Sequence, residues 1–131
     1  AEIHPMSCDD GPDAYETVLR GASSLDLVHL GLGADGHTAS LFARSTALDG
    51  AGDPLVASNE DPSGRNPYRR LTLTLAGIAR FAVAVVTVEG HAKRDALTRV
   101  RAGDPAVPAS HVRAGRVVWL ADPAAAGEEH R

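Results

Sequence analysis

The chain is poor in sulfur, in aromatic side chains and in lysine. Its 131 residues include one cysteine, Cys8, so no disulfide can close within it and a reducing compartment is expected. Phe, Trp and Tyr make up 4% of the sequence, too little for the stacking platforms that hold single-stranded nucleic acids. No apolar run approaches the ~20 residues of a membrane-spanning helix, and no signal-peptide pattern opens the chain. Internal repeats and low-complexity tracts are absent. Neither a nucleic acid nor a membrane is expected as a partner.

What remains is the composition of a folded domain, 44% apolar and 23% charged. The length suits one domain, so residues 1–131 are read as a single unit. Charge is unevenly spread: residues 1–64 hold 11 acids and two arginines, whereas residues 65–131 hold 11 basic residues and six acids. The arginines of the second half are scattered, as on solvated helix faces. Lys93 is the only lysine, which gives any ammonium chemistry a single address. The six histidines show no His-x-x-x-His spacing, and no metal is expected.

Strand and helix signals alternate. Ile3-His4-Pro5 reads as a strand end, and residues 13–20 as a short helix with Tyr15, Val18 and Leu19 on one face. Residues 25–30 form a short buried strand, followed by a turn with glycines at 31, 33 and 36. A helix is expected next, with Asp35 as its N-cap and His37 in its first turn. Residues 43–53 read as loop, 54–57 as a short strand, and 59–67 as a surface loop of the kind that carries function. Residues 70–75 alternate, which predicts a strand with its leucines inward and Arg70, Thr72 and Thr74 outward. Residues 81–88 are a nearly continuous, β-branched and apolar run, as in a strand buried on both faces. A helix over 92–102, an irregular stretch over 107–111, a strand over 116–120 and a short helix after Asp122-Pro123 complete the pattern. Such alternation indicates a parallel α/β sheet with right-handed crossovers.

The glycine turn admits three readings. Gly31-x-Gly33-x-x-Gly36 after a strand fits the dinucleotide fingerprint, with Glu60 at roughly the distance of a ribose-binding acid. Against it, Asp35 sets a carboxylate where a pyrophosphate would approach. A plainer reading is a tight turn with positive φ angles, an Asp cap and an exposed histidine. The third is catalytic. At a helix N-terminus the imidazole is held neutral and able to take a proton from water, with Asp35 orienting it and nearby N–H groups facing an oxyanion.

Gly31-Leu32-Gly33-Ala34-Asp35-Gly36-His37-Thr38-Ala39-Ser40-Leu41-Phe42 closely resembles the signature of the 6-phosphogluconolactonases. These are cytosolic enzymes of the superfamily that includes glucosamine-6-phosphate deaminase. Ile3-His4-Pro5-Met6 resembles that family's strand before the linker, and Arg70-Leu71-Thr72-Leu73-Thr74 its Arg-Ile-Thr-Leu-Thr strand. Gly90-His91-Ala92-Lys93 resembles its Gly-x-x-Lys helix start, while Val107-Pro108-Ala109-Ser110 and Val118-Trp119-Leu120-Ala121-Asp122 are similar to its closing segments. The resemblance implies a Rossmann-like, three-layer αβα fold with a mostly parallel sheet. It also implies metal-free, cofactor-free hydrolysis of 6-phosphogluconolactone to 6-phosphogluconate in the oxidative pentose phosphate pathway. His37 then falls on the histidine that activates water, with Asp35 beside it. Gly33 and Gly36 approach the substrate through their backbone, with N–H groups near Gly36 at the oxyanion. Arg70 and Lys93 meet the phosphate or hydroxyls.

The match covers only the C-terminal half of that family. The Ser-Gly-Gly-x-Thr-Pro phosphate loop and the Asp-Glu-Arg segment of its N-terminal half do not occur here, and no initiator methionine opens the chain. A partial domain is therefore expected, with an incompletely covered sheet and a phosphate site completed by a missing half or by self-association. Three rivals remain. An aminosugar-phosphate isomerase or deaminase would follow its histidine with a segment resembling Phe-Asn-Glu-Pro, where this chain has Ser40-Leu41-Phe42-Ala43. A non-catalytic sugar-phosphate-binding domain would bind without turnover. A nicotinamide-binding module would be protected by NAD.

Overall fold

A computed structural model of the chain describes residues 1–49 and 54–128. In chain order the elements are α1 (Gly11–Gly21), β1 (Leu27–Gly31), β2 (Val56–Asn59), β3 (Arg70–Leu73), α2 (Leu75–Ala79), β4 (Val83–Val88), α3 (Arg94–Arg101), β5 (Arg116–Ala121) and α4 (Pro123–Ala126). Short 3-10 turns lie at Thr46–Leu48, His91–Lys93 and Pro108–His111. The β-branched run of β4 takes the centre of a parallel sheet of order β1-β4-β5. Leu27 pairs with Val83 and Val83 with Arg116, so Gly31, Thr87 and Leu120 lie side by side at the carboxyl edge. There the loops after β1 and β4 emerge together, which is where open α/β sheets keep their sites.

The alternation of β1 and β4 sends Val28, Leu30, Ala84, Val86 and Val88 to one face. They form the core with Ile78, Ala96, Leu97, Val107 and Ala109. A second, antiparallel pair joins β2 to β3, setting Val56 against Leu73 and Asn59 against Arg70. Leu19 of α1 packs on it through Leu55 and Val56. The Glu16 carboxylate clamps the same contact by accepting the Leu55 N–H at 2.9 Å. That bond, and Arg20 after it, hold Glu16 below the usual carboxylate range against the opposing push of burial.

Of the three expected layers, the described residues supply the sheet and one covered face. On the other face His29 and Thr87 are exposed, and so are Leu27 at 56% and Leu120 at 54%. The strand expected to be buried on both sides is therefore buried on one: β4 alternates between fully and partly covered positions.

Four more expectations are corrected. Ile3-His4-Pro5 is exposed and forms no strand, because no neighbouring strand lies there to pair with it. No helix follows the glycine turn, so Asp35 caps none. Residues 32–45 run through tight turns, with Gly36 at φ +90°, Ala39 at +49° and Arg44 at +61°, angles no right-handed helix can contain. The alternation in β3 has its sides reversed: Thr72 and Thr74 are the buried residues, and Leu71 and Leu73 are half-exposed. The buried hydroxyls are satisfied. Thr72 Oγ1 accepts the Ser40 N–H at 3.0 Å and donates to the Leu73 carbonyl at 2.8 Å. Finally, the strand expected over 70–75 ends at Leu73, and Leu75–Ala79 form a helix, α2. Within the loop expected over 43–53, residues 46–48 form a turn and residues 50–53 lie outside the described residues.

Thr74 caps α2 by accepting the Gly77 N–H at 3.0 Å while donating to the Pro54 carbonyl at 2.5 Å. Gly77 permits this docking, since a Cβ there would lie 2.2 Å from the Leu55 carbonyl oxygen. Thr74→Ala removes the cap and orphans the Pro54 carbonyl. Urea unfolding should show a loss of about 1–2 kcal/mol.

Candidate active site

The turn after β1 is built around its own side chains. Gly33 N–H donates to the His37 carbonyl at 2.8 Å and Gly36 N–H to the Gly33 carbonyl at 2.9 Å, which closes residues 33–37 into a knot. Inside it, Asp35 Oδ1 accepts the His37 N–H at 3.1 Å and meets His37 Nδ1 at 2.5 Å. Such a side-chain-to-backbone bond two residues on is the usual use of Asp in a turn, and it competes with helix formation. The carboxylate is three-quarters covered, and so is the imidazole.

Burial pushes the Asp35 carboxyl up. The hydrogen bonds from the His37 amide and ring, together with imidazolium charge, outweigh it and hold Asp35 below the ordinary range. At neutral pH Asp35 is therefore an ionised, acceptor-only group, so the nitrogen facing it must carry a proton. In neutral imidazole this leaves the lone pair on Nε2, which makes no hydrogen bond among the described residues. That is the arrangement of a base with its orienting acid.

The glycines have roles other than the expected ones. A Cβ at Gly33 would fall 2.2 Å from His37 Nδ1 and 2.6 Å from Asp35 Oδ1, so Gly33 gives the pair its seat. Gly36, at φ +90°, accepts the Ala109 N–H at 3.1 Å, and a Cβ there would strike Val107 at 2.5 Å. The Gly36 and His37 amides are thus engaged inside the turn, which leaves neither to face an oxyanion.

Arg70 joins this pair through Phe42. Its guanidinium carbon lies 5.8 Å above the Phe42 ring, and the same ring stands 5.1 Å from the imidazole, tilted by 52°. The loop before Arg70 is ordered by Asp61, whose carboxylate accepts from Ser63 and from the Asn66 amide and side chain. Those bonds, the Asn66 side chain's first, hold Asp61 far below the carboxylate range. Asn66 in turn accepts from Arg70 at 3.4 Å. Lys93 ends the turn His91–Lys93 after β4, at the same sheet edge. Its ammonium makes no hydrogen bond or ion pair among the described residues. Direct contacts join Asp35, His37 and Arg70, the last through Phe42, and Lys93 follows β4 at the same sheet edge without a polar bond to them.

Phe42, Asn59 and Thr72 were not singled out from sequence. Asn59 Nδ2 donates to the Ser40 carbonyl at 2.8 Å and to Ser45 Oγ at 2.9 Å, pinning the segment that carries Phe42. The available signal was a buried polar residue at the end of a short apolar strand. Among the described residues no three His, Cys, Asp or Glu side chains are grouped to share a metal, and no helix is long and apolar enough to cross a membrane.

Residues 1–119 match the family model for glucosamine-6-phosphate isomerases/6-phosphogluconolactonase. The chain belongs to this family. It is 42% identical over 139 residues to the human GDH/6PGL endoplasmic bifunctional protein, covering 92% of this chain and 17% of that one. It is 35% identical over 146 residues to 6-phosphogluconolactonase of Mycobacterium tuberculosis, covering 97% of this chain and 58% of that enzyme. The crystal structure of 6-phosphogluconolactonase from Thermotoga maritima superposes with a TM-score of 0.72 at 31% identity, over 88% of this chain and 52% of that one. The Trypanosoma brucei enzyme gives 0.76 at 28% identity. The family fold is therefore a mixed α/β fold with a mostly parallel sheet, and this chain spans little more than half the length of those lactonases.

Within this family member the Asp35–His37 pair can be perturbed from either side. Gly33→Ala should still fold, because the imidazole can swing away, but it should break the Nδ1–carboxylate bond, visible in the ¹⁵N spectrum of His37. Asp35 is lowered on folding, so its contribution to stability is complete above an ordinary carboxylate pKa of about 3.9 and is lost as pH falls through the lower folded value. The melting-temperature gap between wild type and Asp35→Asn should accordingly narrow between about pH 5 and pH 2.

Proposed function

We propose that this chain is the base-bearing part of a 6-phosphogluconolactonase, spanning residues 1–131 as one partial domain. The observation that carries this function is the Asp35–His37 contact at 2.5 Å, which leaves Nε2 free at the carboxyl edge of the sheet. In the reaction Nε2 takes a proton from water as its oxygen adds to the lactone carbonyl. Asp35 steadies the imidazolium that forms, which returns the proton to the ring oxygen as the C–O bond breaks. Arg70, which shares Phe42 with the imidazole, meets the lactone or its hydroxyls, and Lys93 meets the phosphate. With the Gly36 and His37 amides engaged, the oxyanion is left to these cations or to a further part of the site, from a missing half or another chain. A cytoplasmic location belongs to the same proposal. Cell fractionation tests it against the endoplasmic location carried in the human relative's name.

A second function, sugar-phosphate binding without turnover, is favoured by one observation: the same two amides are closed to an oxyanion. Hydrolysis of freshly generated 6-phosphogluconolactone, corrected for spontaneous opening, separates the two. His37→Ala should lower kcat by about 10²- to 10⁴-fold. Equal rates in wild type and mutant remove His37 from the mechanism, and tight binding with no turnover in either supports the binding domain.

A further inference from the structure

We propose that Phe42 is a positioning residue whose ring couples the aim of the His37 imidazole to that of the Arg70 guanidinium. The proposal deepens the lactonase reading and rests on it. Phe42 is 1% exposed, and it touches both working side chains. Its backbone is held on each side. The Phe42 carbonyl accepts from Ser45 Oγ at 2.7 Å, and Ser45 Oγ accepts from Asn59 at 2.9 Å. Asn59 is the register partner of Arg70. The ring is therefore fixed to the strand pair from which Arg70 projects.

Each working group has one polar restraint and needs a second contact. Asp35 fixes Nδ1 of the imidazole but leaves the ring free to rock about that bond, and the Phe42 ring limits the rocking. Arg70 has one long hydrogen bond, to Asn66 at 3.4 Å, and no carboxylate partner among the described residues. A carboxylate would neutralise the charge with which Arg70 meets the lactone or its hydroxyls, whereas an aromatic face orients a guanidinium and leaves that charge intact. An ordinary core phenylalanine would be replaceable by leucine at some cost in stability alone. A positioning phenylalanine requires the flat face.

The test compares Phe42→Leu and Phe42→Tyr with wild type in the full chain, by ¹⁵N NMR of His37 and by kcat and KM for 6-phosphogluconolactone. In Phe42→Leu the His37 ring resonances should shift and broaden while Nδ1 stays protonated against Asp35, kcat should fall about ten- to a hundredfold and KM should rise several-fold. Phe42→Tyr keeps the aromatic face and should restore all three. A folded Phe42→Leu with wild-type His37 ring resonances and kinetics overturns the proposal. Should Phe42→Leu not fold, Arg70→Gln decides: it alters a half-exposed side chain that makes no bond to His37, yet it should shift the His37 ring resonances through Phe42. Unchanged resonances overturn the coupling. A wild-type chain without turnover would count against the lactonase reading, and the NMR arm would still decide the role of Phe42.

Discussion

A methyl group at position 33 would occupy the space that the His37 ring and the Asp35 carboxylate fill. The site depends on that small absence. Because Gly33 leaves room, the turn can fold its histidine back over its own start. Asp35 can then serve both the amide and the ring of one residue. The knot is held from below by Thr38, whose hydroxyl donates to the Gly31 carbonyl at 2.8 Å, and from the side by Ala109 on Gly36. Base, orienting acid and their seat thus come from five consecutive residues, so the bond within the pair is made locally.

The cations are arranged on the opposite plan. Arg70 reaches the imidazole only by way of Phe42, and its loop is ordered by a single carboxylate, Asp61. Lys93 follows β4 at the sheet edge and makes no hydrogen bond or ion pair among the described residues. The base is held locally, while the charges that would hold a substrate, Arg70 and Lys93, stand on separate segments of the chain. That division suits a chain little more than half as long as the lactonases it matches. Such a chain can build the chemistry of one turn by itself but not a whole phosphate cradle.

Much of this was legible in the sequence, and the failures are physical. The β-branched run of β4, the Pro-initiated α4 and the motif around His37 declare themselves by composition. Asp35, His37 and Arg70 stand out in the sequence as candidates, and the structure brings them together by direct contact and through Phe42. A helix was expected after Gly36 because Asp followed by small residues resembles an N-cap. Asp35 instead bonds within its own turn, a choice that periodicity does not register. The sides of β3 were misjudged because Thr72 and Thr74 look like solvent residues until their hydroxyls are seen bonded to Ser40, Leu73, Pro54 and Gly77. The partners that make them buriable lie far along the chain. Phe42 went unmarked because an aromatic in an apolar run looks like core, which it also is.

The strand order has a consequence for how the chain is made. Among the described residues the central strand of the main sheet, β4, follows β1, β2 and β3 in sequence, and β1 and β5 both pair with it. The β1–β4 pairing therefore closes only once the whole span from Gly31 to Val83 has been made. The β2–β3 hairpin and α1, whose contacts are more local, can assemble meanwhile. Parallel pairings of long sequence separation close slowly. During that delay the apolar residues of β1 are open to a chaperone, while the turn that seats the site's histidine closes on bonds of its own.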